Sequence, residues 1–233
     1  MTAPQLPLAL PFSPDQRLDA FVGSVAECAL LAAVARGAQH DWLMLSGAAG
    51  SGKTHLLLAA CAEAAAAGRR AVYLNLADRP ERVGEALQAL EGADLICLDT
   101  LDAVAGRREI EVPLFDFHNR ARASGAVIIY AARQAPAGLA LSLPDLRSRL
   151  SQCVQLPLAA LDEAGRREVL NARAARRGLS LDAPVLDYLL ARVGRDLTTL
   201  TELLDRLDRE SLAAQRRITV PFLRQILAQS ATR

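Results

Sequence analysis

The run Gly47-Ala48-Ala49-Gly50-Ser51-Gly52-Lys53-Thr54 fits the spacing G-x-x-x-x-G-K-[ST] at every position, and no other feature constrains the chain as much. The apolar tetrapeptide Trp42–Leu45 leads into it, and an alanine- and leucine-rich stretch, Thr54–Ala67, leads out. The run therefore reads as the loop between a strand and a helix. Glycines at these positions permit positive φ and let backbone N–H groups turn inward on a phosphate. The helix N-terminus behind them adds unpaired N–H donors and a favourable dipole. Lys53 supplies a compact charge on a flexible stem, suited to β- and γ-phosphate oxygens, where the planar fork of arginine fits poorly. Composition sharpens this point: of 27 basic residues 26 are arginine, and Lys53 is the single lysine. Thr54 offers a hydroxyl to Mg²⁺. Gly47, Gly50, Ser51, Gly52, Lys53 and Thr54 are thus expected to hold a nucleotide, ADP or ATP, with Mg²⁺.

From this loop onward the chain alternates strand and helix. Residues 71–76, 94–99 and 126–131 are short apolar runs, and 152–156 is a fifth strand candidate after 42–45. Stretches 24–36, 54–67, 80–90 and 109–123 carry helical patterns. Continuous apolar strands between helices predict a parallel sheet covered on both faces. After Pro157 the strands stop, and 162–178, 182–193, 197–214 and 219–229 read as helices punctuated by Gly178, Gly194 and Pro221. Residues 1–16 carry four prolines and no periodicity, and read as an extended arm. The expected organisation is an arm (1–16), a five-stranded α/β domain (17–157) and a small all-helical domain (158–233).

Composition excludes more than it adds. A net charge of +1 gives no global reason to expect nucleic acid or a membrane surface as partner. The N-terminus lacks the basic flank and continuous apolar stretch of a signal peptide, and no apolar run is long enough to span a bilayer. Cys28, Cys61, Cys97 and Cys153 form no C-x-x-C pair and no histidine lies at metal-ligand spacing. They read as buried structural thiols in a reducing cytoplasm.

Asp99 ends the run 94–99, where a carboxylate can hold Mg²⁺ together with Thr54. Taken with the loop, these residues resemble the DnaA-related AAA+ proteins, and among them the shortened regulatory inactivators of DnaA (Hda). Gly47–Leu57 resembles their phosphate loop, including the histidine after it, which adds His55 to the nucleotide-binding set. Asp94–Val104 is similar to their metal-binding strand, Arg17–Ser24 to the stretch lying against adenine, and Arg216–Leu227 to the last lid helix. Leu143–Ser151 resembles the segment carrying the arginine finger, which would be Arg149. In the arm, Gln5-Leu6-Pro7-Leu8-Ala9-Leu10 resembles the peptide with which inactivators dock on the sliding clamp. Gln5, Leu6, Leu8 and Leu10 on an extended chain suit a hydrophobic groove.

The resemblance implies an AAA+ P-loop NTPase with a helical lid. It would be carried by the β subunit clamp of DNA polymerase III and would stimulate hydrolysis of DnaA-bound ATP in trans. Further copies of the chain are a third partner, with neither sequence-specific DNA binding nor a membrane among them. A DnaA-like adaptor, or an AAA+ ATPase that loads a helicase or serves a transposase, is the alternative. Departures from the family pattern bear on hydrolysis. Thr100 stands where an acid usually follows the metal-binding aspartate, Asp102 is out of register with it, and Ala132 replaces the polar residue expected at the end of the fourth strand. Weak or absent intrinsic turnover follows. In the lid, Thr198 stands where the initiator carries a nucleotide-sensing arginine, with Arg195 nearby.

Overall fold

The computed structural model describes residues 16–192, 203–204, 206–210 and 218–230. Five strands form one parallel sheet: β1 (Leu43–Ser46), β2 (Ala71–Asn75), β3 (Leu95–Asp99), β4 (Val127–Ala132) and β5 (Val154–Pro157). Their spatial order is β2-β3-β4-β1-β5. Every residue of β1, β3 and β4 is buried, which explains why these strands are apolar throughout rather than alternating. The edge strands β2 and β5 are partly exposed. In register, Ser46 lies opposite both Ala132 and Pro157, so three strands finish together where the glycine-rich loop begins.

The two-residue period of the strands divides the core. Met44, Ile96, Leu98, Ile128 and Tyr130 face one layer with α3 (Val83–Ala89), α4 (Arg108–Ser124) and α5 (Pro144–Ser151). Leu43, Leu45, Leu95, Cys97, Ile129 and Ala131 face the other, with α1 (Val25–Ala35) and α2 (Lys53–Ala66). Cys61, Cys97 and Cys153 are buried and no disulfide joins the described cysteines. No helix among the described residues is long and apolar enough to cross a membrane.

Several boundaries differ from expectation for local reasons. The single helix expected over 80–90 is a 3₁₀ turn at Pro80–Arg82 followed by α3; Arg82, at φ −110° and ψ 10°, interrupts the regular ladder. The expected fifth strand begins two residues late, because Gln152 and Cys153 close α5, their N–H groups donating to Arg149 and Leu150 carbonyls. Helix α5 itself, opened by Pro144 at its first turn, was not marked by periodicity in the sequence.

Beyond β5 lie α6 (Glu163–Arg176), α7 (Ala183–Arg192) and α8 (Val220–Ser230), and the described residues of 203–210 are also helical. Asp162 caps α6 by accepting the Gly165 N–H at 2.7 Å. Leu170, Val185, Leu189, Leu207, Leu223 and Ile226 form a separate core for this domain. Gln5, Leu6, Leu8 and Leu10 of the arm, and Arg195 and Thr198 of the lid, lie outside the described residues.

Candidate functional site

The loop after β1 is held from both sides. The Gly47 N–H donates to the Ala132 carbonyl at the end of β4 (3.2 Å), and the Leu158 N–H donates to the Ser46 carbonyl (2.6 Å). A Cβ at Gly47 would stand 2.5 Å from the Leu158 carbonyl oxygen and 2.7 Å from Ser51 Oγ, so close backbone approach requires glycine there. Gly50 and Gly52 take φ of 76° and 90°, the left-handed region that lets successive amides converge on one point. The loop delivers Lys53 and Thr54 into the first turn of α2. Lys53 Nζ donates to the Gly47 carbonyl at 2.6 Å and the Ala48 carbonyl at 2.8 Å, so the ammonium is folded across the mouth of the loop. Its partial burial pulls its pKa below the ordinary lysine value, opposed by the carboxylates of Asp99 and Asp102.

Thr54 Oγ1 donates to Asp99 Oδ2 at 2.6 Å, and Tyr73 Oη donates to the same oxygen at 2.9 Å. Burial, with the carboxylate beside it, pushes the Tyr73 phenol far up, so it acts as a fixed donor. Thr54 is exposed while Asp99 is buried. One hydroxyl and one carboxylate converging from β3 and α2 are the hard oxygen donors Mg²⁺ takes from a protein when water and phosphate complete its octahedron. The residues therefore fit a Mg²⁺–nucleotide, and Gly47, Gly50, Ser51, Gly52, Lys53, Thr54 and Asp99 lie together where β1 and β3 end. His55 is engaged elsewhere: Nε2 donates to the Arg17 carbonyl at 2.9 Å and the ring stacks on Phe21, with centroids 6.0 Å apart. Phe21 lies against Gly52, where a Cβ would meet its ring at 2.6 Å. His55 thus fastens the 17–21 stretch over the loop.

Besides Tyr73, three residues at this site, Thr100, Asp102 and Arg133, were not assigned to it by sequence reasoning. Thr100 takes φ 57° and ψ 46°, left-handed and strained for a β-branched residue, with its N–H donating to Asp99 Oδ1 at 2.7 Å. The 3₁₀ turn Leu101–Ala103 that follows swings Asp102 back to the end of β4, where Oδ1 accepts the Arg133 N–H at 2.5 Å. Asp102, out of register in sequence, acts electrostatically on Lys53. Arg133 does so as well, with the opposite sign.

Arg149 is elsewhere. It lines a cavity of about 470 Å³ with Asp41, Trp42, His118, Arg122 and Gln152. Trp42 precedes β1, Val127 begins β4 and Val154 begins β5, and all three border the cavity. It opens at the N-terminal edge of the sheet, whereas the phosphate loop follows the C-terminal edge. Four residues of β1 at about 3.3 Å each separate the two by roughly 13 Å. His118 forms its floor: Nδ1 lies 3.0 Å from Tyr130 Oη, the ring meets Trp42 edge-on at 4.4 Å, and the buried Nε2 has no partner among the described residues. Burial, then the charges of Arg149 and Arg122, push the imidazole down to about 4, so it is neutral at physiological pH. Neither guanidinium has a hydrogen-bond or ion-pair partner among the described residues.

Known proteins bear on this geometry. Residues 16–135, just over half of the chain, match the family model described as Novel STAND NTPase 5, and residues 162–227 match that described as Hda, lid domain. A Haemophilus influenzae protein described only as uncharacterized is 37% identical over 227 residues, covering 96% of this chain and 98% of its own. Domain III of DnaA from Thermotoga maritima superimposes with a TM-score of 0.76 at 18% identity, over 94% of this chain and 98% of its own. AMPPCP-bound DnaA from Aquifex aeolicus gives 0.68 at 23% identity, over 84% of this chain, which spans 66% of that longer one. The RuvB Holliday junction branch migration motor of T. maritima gives 0.62 at 19% identity, over 90% of this chain and 70% of its own. Sheet order, phosphate loop and these matches define a P-loop NTPase of the AAA+ fold, and the chain belongs to the NTPase family whose model spans its first half. More particularly, it is in one family with the Haemophilus protein, and its residues 162–227 match the Hda lid domain model.

Proposed function

We propose that this chain is a nucleotide-binding regulator of replication initiation that stimulates hydrolysis of DnaA-bound ATP in trans. ADP or ATP would lie in the loop from Gly47 to Thr54, with Mg²⁺ held by Thr54 and Asp99. The observation that carries the reading is the place of Arg149. Its guanidinium has no partner among the described residues and stands at the sheet edge remote from its own phosphate loop, so it cannot serve its own nucleotide and is open to a partner's. A guanidinium set against developing phosphoryl charge on another P-loop protein accelerates hydrolysis by about 10³–10⁵. The Hda-type lid match supports DnaA as that partner. Gln5, Leu6, Leu8 and Leu10 would dock on the sliding clamp as an extended strand, concentrating the protein on replicated DNA.

Single-turnover hydrolysis of DnaA-bound ATP with DNA-loaded clamp tests this. Arg149→Ala and deletion of residues 1–11 should each return the rate to that of DnaA alone. Wild-type rates from both variants would exclude the mechanism. A second reading, an adaptor or loading ATPase with its own turnover, is favoured by the nearness of Asp102 to Lys53. Steady ATP turnover abolished by Asp102→Asn, with no effect on DnaA, would select it. In the reading preferred here the chain turns over its own nucleotide slowly, since Thr100 and Ala132 can neither deprotonate nor orient a water.

A further inference from the structure

The cavity at the N-terminal edge of the sheet holds more than the arginine that resemblance singles out. Arg122, near the end of α4, and Arg149, on α5, come from different elements and border the same space. Both act electrostatically on His118 beneath them. Two like charges converging on one cavity repel each other, and surface arginines ordinarily relieve this by pairing with carboxylates. Here neither does among the described residues, and the walls carry a single acid, Asp41. The floor is a neutral imidazole with a buried, unpartnered Nε2. A buried polar atom without a partner is costly and calls for an explanation, a bound ligand among them. Unpaired guanidiniums over a polar floor have the complementarity of a polyphosphate, which accepts several charge-assisted hydrogen bonds at once.

We propose that Arg122 and Arg149 together, over the Trp42–His118 floor, form a receptor for the terminal phosphates of a nucleotide carried by a partner. Arg122 is then a second cation acting in trans. The proposal rests on the reading of Arg149 given above and extends it to a site with two guanidiniums. One arginine finger can neutralise charge on one phosphoryl oxygen, whereas two from separate helices can hold the group from two sides and restrict its orientation. Arg122 leaves α4 one turn after His118, which places it on the cavity side of that helix.

The chain's single tryptophan, Trp42, lines this cavity and reports its occupancy. Full-length protein saturated with ADP and Mg²⁺ is titrated with inorganic tripolyphosphate while Trp42 emission is followed. A saturable change is expected, with affinity falling about ten-fold or more in Arg122→Ala and in Arg149→Ala, and partly restored in Arg122→Lys. In the hydrolysis assay with DnaA-bound ATP, Arg122→Ala should lower the rate at least ten-fold while its melting temperature stays at the wild-type value. No saturable change in emission, or unchanged affinity in Arg122→Ala, overturns the receptor. A normal titration with a wild-type hydrolysis rate in Arg122→Ala also overturns it, because the cavity then takes free phosphate only. If Arg149→Ala hydrolyses like wild type, the trans mechanism itself fails, an outcome the tryptophan titration distinguishes from failure of the receptor.

Discussion

Single side chains set the chemistry at both edges of the sheet. Gly47 has no room for a methyl group, since its Cβ would meet a backbone oxygen that the Leu158–Ser46 hydrogen bond holds in place. Gly47→Ala should therefore destabilise the fold by about 1–3 kcal/mol, as overpacking does. It should also weaken ADP binding by more than the ten-fold that loss of one phosphate contact would give, as calorimetry would read. His118 makes a pH prediction. Its folded pKa, about 4, lies below the ordinary 6.5, so the unfolded chain binds the proton first. Its contribution is complete above about pH 6.5 and is lost as pH falls from there toward 4, by on the order of 3 kcal/mol at most. Urea unfolding at pH 7 and pH 5 should show the decline, and His118→Gln should flatten it.

Elements are locked to one another by a buried carboxylate that no motif marks. Glu111, in the first turn of α4, is fully buried and accepts four hydrogen bonds. The donors are the Gly106 N–H at 2.6 Å, the Ser142 N–H at 3.1 Å, the Ser142 hydroxyl at 2.9 Å and the Leu143 N–H at 2.7 Å. Burial alone would raise its pKa, but these donors outweigh it and hold the carboxyl below its ordinary value. Ser142 and Leu143 open α5, so Glu111 fixes the start of the helix that carries Arg149. In Glu111→Gln an amide NH₂ would face N–H and O–H donors. The expected cost is about 2–4 kcal/mol in chemical denaturation at pH 7. The loss should narrow under acid, because the carboxylate's contribution disappears as pH falls through its folded pKa, which lies beneath 4.5. An equal loss at pH 7 and pH 3 would rule out the ionised hub.

At the scale of the molecule, the parallel sheet separates two groups of side chains. Every strand runs the same way, so the loop after β1 and Asp99 at the end of β3 meet at one edge, and Arg149, Arg122 and Trp42 meet at the other. A ligand bound at the loop ties β1, β3 and α2 together and must stabilise the folded state by mass action. ADP with Mg²⁺ at a hundred times its dissociation constant should add about 2.7 kcal/mol, visible as a rise in melting temperature. Lys53→Ala should abolish that rise, and chelation of Mg²⁺ should reduce it.

The glycine-rich loop, the apolar strands and the helical tail were legible in the sequence because each depends on near neighbours: spacing within eight residues, or the period of one element. The pairing of Thr54 with Asp99 was legible too, since strand ends in a parallel sheet converge. The return of Asp102 to the end of β4 was not, because it needs a left-handed Thr100, a conformation a β-branched residue does not advertise. Nor was the Glu111 hub, whose partners at Ser142 and Leu143 stand about thirty residues away. The grouping of Arg122, Arg149 and His118 around Trp42 likewise depends on how α4 and α5 pack against the starts of β1, β4 and β5. Local covalent order thus decided the glycine-rich loop and the strand ends that meet it. Long-range packing, whose contacts have no spacing rule, decided which charges stand at the opposite edge of the sheet and which lack a partner among the described residues.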